Sequence, residues 1–139
     1  MATTIRPEIS QSNEYWISKH RYYELKHFCM QYPLWKAAYN LLGLEGVRSL
    51  DLSGYIPTSE TSDPTAKTAI AKSYFGDRIS MIENIAAEAD ESLAEYLIKG
   101  ITEGWSYDIL KARMNIPCCK DVYYNVYRRF FWLLSRERK

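Results

Sequence analysis

The sequence predicts an all-α protein, a helical N-terminal region joined to a C-terminal helix-turn-helix. Three observations predict it. Apolar residues recur at three- and four-residue intervals through most of the chain, no stretch alternates with the period of a strand, and Pro, Gly, Ser and Asp fall where helices begin or stop. With 139 residues, 47% of them hydrophobic and 14% aromatic, the chain is long enough to bury a core of its own.

The elements follow in order. Residues 13–32 read as a helix that Asn13 can cap, with Tyr15, Tyr22, Leu25, Phe28, Cys29 and Tyr32 at helical spacing. Pro33 interrupts that helix but suits the first turn of a new one, running from Leu34 to Leu42. Residues 43–62 hold Gly43, Gly46, Gly54 and Pro57 among many Ser and Thr, and read as a long loop. Asp63 is a good N-cap and Pro64 a good first helical residue. The helix they open carries Ala71, Phe75, Ile82, Ile85 and Ala89 on one stripe. Gly76 lies inside it, at a cost of about 1 kcal/mol against Ala, too little to stop the helix. Asp90 starts another helix with Leu93, Leu97 and Ile101 inward. Glu103-Gly104-Trp105-Ser106 is a turn ending in an N-cap, and Tyr107 to Met114 is a short helix. Asn115 to Cys118 is a turn, and the last helix runs from Cys119 or Lys120 to about Ser135. The chain thus divides into a helical body at 13–102, with its loop at about 43–62, and a helix-turn-helix at 103–139. Its length also fits one compact domain.

Charge is unevenly spread. Residues 111–139 hold eight Lys or Arg against two acids, a net +6, which leaves −5 on residues 1–110 within an overall +1. A basic tail on an acidic body points to an anionic partner for the tail, or to a charge match between the two parts. No apolar run reaches membrane-spanning length, and residues 1–8 contain no apolar signal core. Three cysteines, two of them adjacent, do not make a disulfide framework. The expected setting is a reducing cytoplasm.

Catalytic signatures are missing. There is no Gly-rich phosphate loop, nucleophile elbow or zincin motif. Cys118 and Cys119 cannot both face one metal at a helix start, and His20 and His27 read as two ordinary histidines on a helix face. The acids Asp77, Glu83, Glu88, Asp90, Glu91 and Glu95 read as a solvated face. The expectation is a protein that is not an enzyme and holds no metal or cofactor.

The last helix carries the most information. On a wheel, Val122, Leu133, Val126, Phe130, Tyr123, Leu134 and Tyr127 fall within an arc of about 140°, with Phe131 just beyond its edge. Tyr124, Ser135, Arg128, Asp121, Trp132, Asn125, Arg136 and Arg129 lie opposite. One face therefore packs inward. The other offers Arg, Asn, Tyr and Ser, the residue types that read base edges and hold phosphates. Ile116 is placed to pin the two helices on either side of the turn.

Asp63-Pro64-Thr65 at a helix start, Trp105-Ser106-Tyr107 about forty residues later, and Asp121-Val122-Tyr123-Tyr124 with Arg128-Arg129-Phe130 at the end occur in this order over roughly residues 20–135. In this the chain resembles the RinA/ArpU-type phage transcriptional regulators. Those share an "sDPT" helix start, a long helix and a sigma-region-4-like helix-turn-helix with a "tFY…RRR" recognition helix. The resemblance implies a late-gene activator that binds double-stranded DNA near a promoter and contacts RNA polymerase in the bacterial host cell. It sets Tyr123 at the core aromatic of the motif and Arg128-Arg129 at its basic run. Phe130-Phe131-Trp132 departs from the pattern by being more aromatic.

On this reading Lys120, Tyr124, Asn125 and Arg128 approach the major groove, and Ser106, Lys111, Arg113, Arg129 and Arg136 hold phosphates. Ile109, Leu110, Ile116, Tyr123, Phe130 and Leu134 form the small core of the unit. Two alternatives stand beside it. One is a phage protein-binding inhibitor that docks the same face, or the Tyr-rich N-terminal helix, on a host or defence protein. The other is a small-terminase-like packaging subunit, which would be a homo-oligomer.

Overall fold

The computed structural model describes residues 14–42 and 64–138. The expected cap at Asn13, the loop at 43–62 and the cap at Asp63 lie outside them. Among the described residues the fold is all-α, without strands. Six helices are present: α1 (Lys19–Cys29), α2 (Tyr32–Leu42), α3 (Pro64–Ala89), α4 (Ala94–Glu103), α5 (Tyr107–Met114) and α6 (Lys120–Glu137), with a 3-10 turn at Glu91–Leu93 before α4.

Local chemistry sets most of the boundaries. α1 starts later than the periodicity predicts, because Ser18 caps it by accepting a hydrogen bond from Arg21 N–H at 3.2 Å. Residues 14–17 are consequently not helical. Pro33 occupies the first turn of α2, as its missing N–H allows. α3 runs unbroken through Gly76; at 26 residues it is about 39 Å long and serves as the spine. Asp90 caps the 3-10 turn through Ser92 N–H and Leu93 N–H, at 2.9 and 3.2 Å. Gly104, at φ 71°, ends α4 in the left-handed conformation that glycine adopts without strain.

α3 packs against α2, α4 and α6, and α6 also packs against α1. One continuous core results, from Tyr22, Leu25 and Trp35 through Phe75 and Ile82 to Tyr123, Phe130, Phe131 and Leu134, all of them buried. The predicted stripe of α3 is inside, as are Leu93, Leu97 and Ile101. Around α6 the core is unusually aromatic. Tyr22 meets Phe131 edge-on with centroids 5.1 Å apart, and its hydroxyl lies 2.7 Å from that of Tyr127. Burial pushes the Tyr127 phenol well above its ordinary ionisation range, reinforced by the charge and hydrogen bond of Tyr22. Tyr123 is likewise raised by burial.

Tyr123 fits into α4 through an absence. A Cβ on Gly100 would overlap the Tyr123 hydroxyl, and would lie 3.1 Å from the Trp105 carbonyl oxygen and 3.3 Å from Leu110 Cδ1. The hydroxyl is buried without a hydrogen-bond partner among the described residues. Its cost is offset by a ring that fills the space between α4 and α6.

Two predictions follow from this packing. Gly100→Ala, which would ordinarily strengthen a helix, should destabilise the protein by about 1–3 kcal/mol in urea unfolding. In a Tyr123→Phe background the same substitution should cost measurably less. The second concerns alkali. Tyr127 and Tyr123 hold their protons more tightly when folded, so their contribution to stability is complete below about pH 10 and declines above it. The decline is as much as about 1.4 kcal/mol per pH unit for each residue. Unfolding free energy should fall between about pH 10 and 11, and Tyr127→Phe should shallow that slope while costing about 1 kcal/mol at neutral pH.

Candidate functional site

The candidate site is the outer face of α6, and the helix is fixed from both ends. At the N-terminal end, α5 begins at Ser106, whose Oγ accepts from Ile109 N–H at 3.4 Å. It ends at Asn115, in the left-handed region at φ 51°. Ile116 in the following turn is fully buried. Three side-chain bonds tie the turn down. Tyr107 Oη donates to the Cys118 carbonyl at 2.6 Å, Lys111 Nζ donates to the Ile116 carbonyl at 3.3 Å, and Tyr107 N–H donates to Tyr124 Oη at 3.3 Å.

At the C-terminal end, Arg21 of α1 reaches across. Its Nε donates to Ser135 Oγ and its Nη2 to the Ser135 carbonyl, both at 3.2 Å, and it also bonds the Arg138 carbonyl and the Glu24 carboxylate. The last carbonyls of a helix have no partner within it, and a guanidinium both satisfies them and suits the negative end of the helix dipole.

Between these anchors the inward arc holds Tyr123, Tyr124, Val126, Tyr127, Phe130, Phe131 and Leu134. This corrects the wheel by a rotation of about 50°. Val122 was expected inside and is 46% exposed, and Leu133 is only partly buried. Phe131 is fully buried, and Tyr124 is 5% exposed. The reason is a second partner: α6 packs on α1 as well as α3, and Tyr22 draws Phe131 and Tyr127 inward. Tyr124 therefore does not stand on the open face; its hydroxyl is occupied with Tyr107.

The other predicted residues separate into two groups. Asn125, Arg128, Arg129 and Arg136 share the outer face of α6, with Asn125 and Arg136 exposed and the other two half-exposed. Lys120 is exposed in the first turn of the same helix. Ser106, Lys111 and Arg113 belong to α5 and its cap, and each has local work. Ser106 caps the helix, Lys111 holds the turn, and Arg113 lies 5.0 Å from the Trp105 ring centroid.

The described ion pairs are Arg21–Glu24, Lys36–Glu83 and Lys99–Glu103. None of them involves Arg128, Arg129, Arg136 or Lys120, so the basic face is not matched to the protein's own acids among the described residues. Arg128, Arg129 and Arg136 outnumber Asp121, the one acid on the same arc, and leave this face net positive.

Trp132 sits in the middle of them, half-buried. The guanidinium carbon of Arg136 is 4.7 Å from its ring centroid, and the Tyr15 ring packs at 5.6 Å, tilted 58°. The spacing of Arg128, Arg129, Trp132 and Arg136 is legible in the sequence as i−4, i−3 and i+4 neighbours. The arrival of Tyr15, 117 residues earlier in the chain, is not. No described helix is long and apolar enough to cross a membrane. No protein-family model, curated protein or solved structure matches this chain.

Proposed function

We propose that the protein is a sequence-specific DNA-binding transcriptional regulator of the phage late-gene activator type. In this reading α5, the turn and α6 act as a helix-turn-helix, and α6 is the helix presented to the duplex. The observation that carries it is the basic face, without an ion pair among the described residues: Asn125, Arg128, Arg129 and Arg136 on one side of α6, with Lys120 at its start. Arg and Asn make bidentate bonds to guanine and adenine edges, and the remaining cations neutralise phosphates. The resemblance to the RinA/ArpU-type regulators adds RNA polymerase as a second partner and a bacterial host cell as the setting. Tyr124 is withdrawn from the groove-reading set, which becomes Lys120, Asn125 and Arg128. Arg129 and Arg136 remain as phosphate contacts.

A protein-docking reading is favoured by one feature, the exposure of Val122 beside Asn125 on α6. Salt separates the two. Binding to DNA releases counterions, so affinity falls steeply as salt rises, whereas an apolar dock is nearly indifferent.

The test is a mobility-shift series on a site selected from random-sequence DNA. Arg128→Ala should lose about 1–3 kcal/mol of binding and relax preference at one base position, with an unchanged circular-dichroism spectrum and melting curve. Arg136→Ala should weaken all sequences alike and reduce the salt slope by about one. Parent-like affinity in Arg128→Ala at about 150 mM salt, where the Debye length is about 8 Å, would remove α6 from the groove.

A further inference from the structure

We infer that Trp132 is a base-stacking platform, and that the C-terminal half of the α6 face takes single-stranded nucleic acid. The inference rests on the reading of α6 as a nucleic-acid surface and names the form of strand that this part of it fits.

Duplex recognition by α6 uses cations and an amide, and has no use for an indole. Trp132 is nevertheless set at the centre of the basic face, with Arg128 and Arg129 one turn before it and Arg136 one turn after. Its position is buttressed. Tyr15 closes on the ring at 5.6 Å and Arg136 lies over it at 4.7 Å, so the indole is held in place before any partner arrives. A rigid aromatic flanked by cations is the combination that binds unpaired nucleotides. The ring stacks on a base, and the guanidinium groups hold the phosphates on either side, bidentately where the geometry permits.

The duplex is a poor match for this part of the face. Its bases are stacked on one another, and an indole approaching from a groove meets only their edges. An unpaired base offers its whole π-face, and Arg136 can stay in the stack as a cation over the aromatic pair. The arginines serve both forms of DNA, but the tryptophan gains only from a strand whose bases are free.

The experiment compares oligo(dT) with a duplex of equal length, at one salt concentration, using fluorescence anisotropy of labelled DNA and the intrinsic tryptophan emission of the full chain. Oligo(dT) should bind and quench part of the emission. Trp132→Ala should weaken oligo(dT) about tenfold and change duplex affinity by less than about twofold, and Trp132→Phe should recover most of the loss because a stacking ring remains. Arg128→Gln should weaken both forms of DNA. Melting curves on each variant separate these effects from unfolding. The inference is overturned if Trp132→Ala binds oligo(dT) as the parent does, if strand and duplex weaken together, or if the phenylalanine variant is no better than the alanine one. Duplex binding without any affinity for oligo(dT) removes the platform alone. A parent that binds neither removes the nucleic-acid reading with it.

Discussion

The structure depends on α6 having two unlike sides, of which the inward one fixes the other. The inward side is aromatic and close-packed: Tyr123, Tyr127, Phe130 and Phe131 reach α1 and α4 and join the core shared with α3. Such rings are heavy in buried area and light in conformational freedom, so they fix the rotation of the helix about its axis more firmly than aliphatic residues would. The outward side is then set without any further interaction. Whatever α6 does not bury faces solvent, and Arg128, Arg129 and Arg136 are among what it leaves outside. The basic face is a by-product of the packing, and its arginines outnumber the one acid on the same arc, Asp121.

The boundaries of the later helices were legible because they are written in local chemistry. Asp90, Gly104 and Ser106 act on backbone groups within three residues of themselves, and such signals survive being read one at a time. The stripe of α3 was legible for the same reason, periodicity being a local property. The rotation of α6 was not. A wheel finds the apolar centre of gravity of a helix on the assumption of one partner, and α6 has two. The contact of Tyr22 with Phe131 spans more than a hundred residues of chain, and no local pattern announces it. Tyrosine adds its own ambiguity. Tyr124 counts as polar on a wheel, yet only its hydroxyl needs a polar partner, and Tyr107 N–H supplies one inside the structure.

The same distinction explains which candidate residues came together. Four of the six predicted positions on α6 share one face because helical spacing alone guarantees it; Lys120 lies in the first turn but off that face, and Tyr124 is turned inward. The α5 residues Lys111 and Arg113 and the cap Ser106 are spent locally, on a turn, a tryptophan face and a helix start. Charge in a sequence counts every cation equally. In the fold, a cation already engaged with a carbonyl or a ring has less to offer a ligand than one that is not.

The grip of Arg21 on the end of α6 reaches further than its hydrogen bonds. A helix terminates in a cluster of partial negative charge worth about half an electron. Left bare, that pole would sit within a turn or so of Arg136 and drain the potential around it. Arg21 covers it directly, and the Arg138 side chain, stacked 4.0 Å from the Phe28 centroid, adds a second cation in the same neighbourhood. The C-terminal pole of α6 is therefore covered by cations from two directions, and Glu137 is the one acid in its last turn.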